Sequence, residues 1–260
     1  MNCNKIIEIL ETAYPLHLAE AWDNPGLLVG RRDKEVKTIY IALDATDDII
    51  GEALKAGADM LITHHPMWMS PVSAVTTEEY TGRRIIKLIQ NDISYYALHT
   101  NHDVVTMAPL AGQMMQLRHA KIMVATAEEG TAKTGFGQVG ELPGTMNLRE
   151  CAEYVKEIFE LDTVKVFGTL TQQIDRVAVL PGSGKSFVAD AIKAGAQVII
   201  SGDFGHHDGI DALMKGIAVI DAGHYGLEHI FIPQMVEFLQ RKFPALKINC
   251  ESIKNPFQVI

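Results

Sequence analysis

The sequence predicts an α/β fold made of two similar halves, with mostly parallel or mixed sheets, and three observations predict it. Short apolar runs alternate with helix-length segments, the pattern of parallel strands covered on both faces by helices. Residues 53–63, ALKAGADMLIT, align without gaps with residues 191–201, AIKAGAQVIIS, with six of eleven positions identical. That offset is too long for a solenoid, and an internal duplication accounts for it. Histidines and carboxylates gather at the ends of the apolar runs, where ligands sit in open α/β sheets. The halves divide at residues 1–125 and 126–260.

Taken in order, Ile6, Ile7, Leu10, Ala13 and Tyr14 share one face of an opening helix. Residues 22–30 read as a turn and short strand around Pro25-Gly26. A strand over 36–45 ends at Asp44, and Thr46 is a natural N-cap for a helix over 47–55, which Gly57 closes. Residues 60–63 form a short buried strand running into His64-His65-Pro66, followed by a helix over 82–90 and a strand over 93–98. Residues 126–133 are small and polar and read as a linker. Asn147 and Glu150 suggest a capping box for a helix burying Cys151, Tyr154, Val155, Ile158 and Phe159. The second half repeats the plan with strands over 176–180 and 217–221, then a helix with Phe231, Met235, Phe238 and Leu239 and a strand over 246–250.

Composition narrows the function. Of 260 residues, 47% are hydrophobic and 21% charged, as in globular proteins. The formal net charge of −9 argues against broad nucleic-acid binding, which needs excess positive charge. No apolar run approaches the roughly 18 residues that span a bilayer, and the N-terminus lacks a signal peptide's plan. A soluble, cytoplasmic protein is expected. Cys3, Cys151 and Cys250 are far apart, which favours neither a disulfide framework nor a thiolate zinc site.

Histidine is the better candidate for chemistry. His64 and His65 end one strand, Asp103 lies just beyond a second, and His224 just beyond a third. His224 and Glu228, four apart, share a helix face and can both reach one metal. Adjacent strand residues point opposite ways, so His64 and His65 suit two neighbouring ions better than one. Asp103 or Glu228 could bridge such a pair. All-nitrogen and oxygen ligation favours zinc, manganese, iron or magnesium. His99 and Asp44, also at strand ends, could orient a ligand or shuttle a proton.

Two phosphate-binding patterns are weaker. Pro181-Gly182-Ser183-Gly184-Lys185-Ser186 ends like a P-loop, but Val179 stands where that pattern needs glycine. Gly135 to Gly140 fits a dinucleotide-binding fingerprint literally but precedes Glu141-Leu142-Pro143-Gly144 instead of a helix, so a Gly-rich strand is expected. His206-His207 reads as a solvated helix start.

Several spaced motifs together resemble one family. They are Trp22-Asp23-Asn24-Pro25-Gly26-Leu27-Leu28-Val29-Gly30, Asp44-Ala45-Thr46, Thr63-His64-His65-Pro66, Gly82-Arg83-Arg84-Ile85 and His99-Thr100-Asn101-His102-Asp103. Gly182-Ser183-Gly184, Ser201-Gly202-Asp203 and Asp221-Ala222-Gly223-His224-Tyr225 with Glu228 complete the set. The chain resembles, over nearly its whole length, the Nif-three-like dinuclear metal family, commonly named GTP cyclohydrolase I type 2 homologues. The resemblance implies two intertwined α/β/α halves, a toroidal homohexamer, and a site for two divalent ions between the halves. It implies His64, His65, Asp103, His224 and Glu228 as the ligands, with His99 beside them. His102 departs from the family's usual hydrophobic residue, and 104–113 lack its Gly-Gly-x-Asn pattern. Too few residues separate the halves for the insert domain of some members.

The function this implies is a dinuclear-metal hydrolase acting on a nucleotide such as GTP, with metal-activated water as nucleophile and His99 transferring protons. A two-metal phosphoesterase would use the same ligands. A ring-shaped metal-binding scaffold or regulator is the non-enzymatic alternative.

Overall fold

The computed structural model describes residues 1–129 and 132–260. The chain opens with α1 (Cys3–Ala13), β1 (Gly26–Val29), β2 (Thr38–Ala42), α2 (Asp47–Lys55) and β3 (Met60–Thr63). It continues through α3 (Tyr80–Gln90), β4 (Ser94–Ala97), α4 (Thr100–His102), a π-helical turn (Asp103–Met107) and α5 (Ala108–Met114). Next come β5 (Arg118–Glu129), β6 (Ala132–Asn147), α6 (Leu148–Ile158), β7 (Lys165–Phe167), β8 (Gln173–Ser183) and α7 (Val188–Lys193). The last elements are β9 (Val198–Gly202), α8 (His206–Met214), β10 (Ala218–Asp221), α9 (His224–Glu228), α10 (Phe231–Lys242) and β11 (Lys247–Cys250).

These elements pack as two units, one of Met1–His102 with Phe231–Ile253, the other of Asp103–Ile230 with Lys254–Ile260. The first holds a five-stranded sheet of order β1-β4-β3-β2-β11, parallel except where β1 meets β4. Alternation along its strands sends Tyr40, Ala42, Leu61, Tyr95 and Ala97 into one core with Ile49, Ile50 and Ala53 of α2 and Ile85 and Leu88 of α3. Helix α1 is started by the Asn2 side chain, which accepts from the Asn4 N–H, and buries Ile6, Ile7 and Leu10. Tyr14, just past it, packs on Phe238 of α10 with ring centroids 5.4 Å apart. Burial of each such side chain is worth about 1.5–3 kcal/mol.

The second unit carries a six-stranded sheet of order β5-β6-β8-β9-β10-β7. Strands β8, β9 and β10 are parallel, while β5–β6, β6–β8 and β10–β7 are antiparallel. Each unit thus has a parallel trio joined by helices, β2-β3-β4 in one and β8-β9-β10 in the other. The two aligned segments adopt the same local form. Each ends a helix, passes through a positive-φ glycine (Gly57 at 66°, Gly195 at 80°) and enters the middle strand of its trio. Helix α6 opens with the expected reciprocal capping box, Asn147 and Glu150 each accepting from the other's backbone N–H.

The expected linker over 126–133 is corrected by the pairing of β5 with β6, which includes Ala127↔Thr134 and Glu129↔Ala132. Gly130 and Thr131 lie outside the described residues. The strand was not legible because residues 118–127 are all half-buried or exposed, so no apolar face marks it. Among the described residues, no helix is long and apolar enough to cross a membrane.

Strand β11 brings Glu251 to the end of β2, where its carboxylate accepts the Leu43 N–H at 2.7 Å. Burial, reinforced by the negative Asp44 and Glu52 and only partly offset by that N–H, pushes its carboxyl up from 4.5 to about 7. The folded chain therefore holds this proton more tightly than the unfolded one. The resulting stabilisation is full below 4.5 and is lost as pH rises through about 7. Glu251→Gln, which keeps an acceptor for Leu43, should melt higher than the parent at about pH 8, with the gap narrowing toward about pH 5. Melting curves across that range check this, and a gap independent of pH contradicts it.

Candidate metal centre

In the first unit, β3 delivers His64 and His65 to its carboxyl end. Their backbone N–H groups still donate to Ala42 and Leu43 of the neighbouring strand, at 3.3 and 2.9 Å. The His65 carbonyl accepts from the Thr63 hydroxyl at 2.7 Å and the Tyr95 hydroxyl at 3.0 Å. The two histidines are thus fixed by main chain before any ligand arrives. His64 is fully buried. His99, just past β4, joins them: its ring centroid lies 5.4 Å from that of His64 and 5.5 Å from that of His65. Ligand atoms of all three fall within 4.8 Å of one another.

Two of these rings are held by carboxylates. Asp44 accepts from His65 Nδ1 at 2.8 Å, and Asp23 accepts from His99 Nδ1 at 2.7 Å. A carboxylate can only accept, so the ring proton sits on Nδ1 and the lone pair of the neutral imidazole on Nε2. Asp23 is itself well anchored, accepting the Asn24 N–H at 2.7 Å, the Thr100 N–H at 3.0 Å and the Thr100 hydroxyl. Burial opposes its ionisation, but His99 and these donors outweigh it and hold its carboxyl down at about 2. The stability this adds is present above the ordinary value of 3.8 and is lost as pH falls through about 2.

His102 is fully buried. Its Nε2 meets Gln234 Oε1 of α10 at 3.1 Å, and the Gln234 amide donates to the Tyr14 hydroxyl at 3.1 Å. Its ring stands 5.9 Å from that of His64 and 5.0 Å from Phe231. The polar position is therefore accommodated by a hydrogen-bond chain and an aromatic wall.

In the second unit, Asp203 accepts from His224 Nδ1 at 2.8 Å, and His224 Nε2 lies 2.9 Å from Glu228 Oε2. The expected shared face of α9 is real. Glu228 is 3% exposed. A lone pair cannot face a carboxylate oxygen at that distance without a positive centre between them, whether a proton or a metal ion. The donor set therefore fits a divalent cation. Gly182 lets the chain reach this carboxylate: at φ 86°, a Cβ there would stand 2.5 Å from Glu228 Oε1. Gly202 is equally tight, its would-be Cβ 2.5 Å from the His224 nitrogen. Gly182 thus stands against Glu228, Gly184 against Ser201, and the Gly-Lys-Ser run leads into α7, a helix of six residues. Asp103 opens the π-helical turn, half-buried. His206 and His207 are exposed at the start of α8.

Asp23 and Asp203 were not singled out by sequence reasoning as partners of histidines, and strand register is the signal that could have found them. Ala42 pairs with Thr63 across β2 and β3, so two residues further along each parallel strand stand Asp44 and His65. Ser201 pairs with Asp221 across β9 and β10, which sets Asp203 beside His224. Gly26 pairs with Ala97 across antiparallel β1 and β4, which carries Asp23 to His99 and Thr100.

Comparison with known proteins shows the family and the fold. The family model described as Duf34/NIF3 (NGG1p interacting factor 3) matches residues 1–256. A Clostridium perfringens protein named GTP cyclohydrolase 1 type 2 homolog is 34% identical over 265 residues, covering all of both chains. A Clostridium acetobutylicum protein of the same name is 36% identical, covering 96% of this chain and 93% of that one. Among solved structures, a Bacillus cereus protein related to NIF3 matches with TM-score 0.90 at 25% identity, covering 100% and 99% of the two chains. Reduced HcgD from Methanocaldococcus jannaschii matches with TM-score 0.84 at 32% identity, covering 96% and 97%.

The carboxylate tethers give a direct test. Loss of an outer carboxylate behind a ligating histidine costs about 10–100-fold in metal affinity. Asp44→Asn and Asp203→Asn should each weaken zinc binding by that order in a chelator competition titration. Unchanged affinity in both would mean that these aspartates do not serve metal binding.

Proposed function

The chain belongs to the Duf34/NIF3 family, and on that footing we propose that it is a dinuclear-metal-dependent hydrolase acting on a nucleotide. GTP is the substrate that the name of its relatives points to. His64, His65, Asp103, His224 and Glu228 are the proposed ligands of two divalent ions, drawn from zinc, manganese, iron or magnesium. The reading rests on one observation above the others: Asp44 and Asp203 hold the Nδ1 protons of His65 and His224. That leaves each Nε2 lone pair for a cation. When bound, two such ions supply Lewis acidity and make water a nucleophile near neutral pH.

The chain's own groups supply the rest. Glu228, almost wholly buried, offers the negative charge that a cation needs in a site of low polarity. Asp23 stays ionised throughout the working pH range and keeps the His99 proton on Nδ1. His99 Nε2 is then the atom that takes a proton and returns it. In cyclohydrolase chemistry water attacks the imidazole carbon of guanine, that ring opens, and formate leaves, so a group able to protonate the released ring nitrogen is needed. A two-metal phosphoesterase would draw on the same donors. The family resemblance carries a homohexameric ring, acting in the cytoplasm, as the proposed assembly.

The test is GTP turnover by metal-reconstituted protein, followed as formate and pterin product. Metal-dependent turnover is expected, abolished in Glu228→Gln and in His64→Ala. A protein that binds two ions per chain yet leaves GTP untouched would sink the cyclohydrolase assignment and turn attention to phosphoesters and to a scaffold role.

A further inference from the structure

One large aromatic beside the histidine cluster is left out of the core. The first unit buries Tyr95, Tyr96 and Phe231 completely, yet Trp22 is 59% exposed. Its ring stands 5.8 Å from that of His99, at 76°. An exposed indole on a mobile loop would carry little meaning, but this one is held. The Asp23 N–H donates to the Glu20 carbonyl and the Glu20 N–H to the Thr100 hydroxyl, both at 2.9 Å. The Asp23 carboxylate binds His99 and Thr100. The Asn24 side chain donates to the Trp68 carbonyl at 3.0 Å. The backbone on both sides of Trp22 is therefore tied to the same residues that position His99.

Resting on the reading above, we propose that Trp22 is the stacking platform for the planar heteroaromatic ring of the substrate, setting it beside His99. The neighbours of the indole decide the occupant. The ring beside it is the imidazole of His99, which it meets at 76°, so a flat heteroaromatic ring laid on the indole stands next to the group that exchanges protons with it. An indole face accepts any purine or pterin ring, and its fixed position means little ordering is needed on binding. The platform also accounts for the adjacency of two functions in one turn. Trp22 would place the ring, and Asp23, the next residue, fixes the imidazole that exchanges protons with it.

The chain has two tryptophans, so Trp68→Phe leaves Trp22 as the only indole reporter. Zinc-loaded Trp68→Phe protein would be titrated with GTP and with inorganic triphosphate, and bound zinc counted on the same samples. GTP should quench the emission saturably and triphosphate should not. Trp22→Ala, placed in the wild-type chain, should bind GTP about 5–100-fold more weakly with its zinc content unchanged, and Trp22→Phe should recover most of the affinity. Absence of saturable quenching by GTP, equal quenching by triphosphate, or parental GTP affinity in a zinc-loaded Trp22→Ala would each overturn the proposal. A zinc count near zero in the parent, with GTP quenching intact, instead removes the metal reading and leaves the stacking platform standing.

Discussion

A neutral imidazole has one ring nitrogen with a lone pair free to ligate, and which nitrogen that is decides which atom of the ring can hold a metal. In this protein that choice is made by aspartates. His65, His99 and His224 each give their Nδ1 proton to a carboxylate at 2.7–2.8 Å. The rest of the architecture can be understood as the means of keeping those three pairs in register. A slip of one residue between neighbouring strands would turn the aspartate to the opposite face of the sheet and release the ring.

Register is protected by burial. The strands that lead into Asp44 and His65 are lined by residues with no exposure, Ile39, Ile41, Leu61 and Ile62 among them. The chain also returns to its first sheet after completing the second: β11 adds itself beside β2, and α10 packs behind them. That return fixes β2 from its far side, opposite the strand that bears the histidines. In the second unit the equivalent precision comes from small residues. Gly182 and Gly202 admit the Glu228 carboxylate and the His224 backbone at distances that no side chain would tolerate.

Much of this was legible from residues alone, for reasons that can be named. His64, His65 and His224 were visible because short buried strands announce themselves as apolar runs, and polar residues soon after them stand at strand ends, while Glu228 was visible because it follows His224 by four residues on one helix face. The helix starts at Thr46 and Asn147 were visible because caps are local. Asp23 and Asp203 were harder, since their partners lie 76 and 21 residues away and only strand pairing joins them. Strand β5 was hidden because its residues 118–127 are all half-buried or exposed, and small polar residues suit an exposed strand as well as a loop. The exposure of Trp22 had no sequence signature at all, because a Trp-Asp-Asn turn says nothing about which way the indole faces.

The claim at the centre of this account is that the aspartates choose Nε2 as the ligating atom. Nitrogen-15 histidine NMR on protein loaded with cadmium-113 measures this directly, since metal–nitrogen coupling identifies the bonded atom. Coupling to Nε2 of His65 and His224, with a proton retained on Nδ1 of both, is the predicted result. Coupling through Nδ1, or cadmium bound without coupling to either ring, would contradict it.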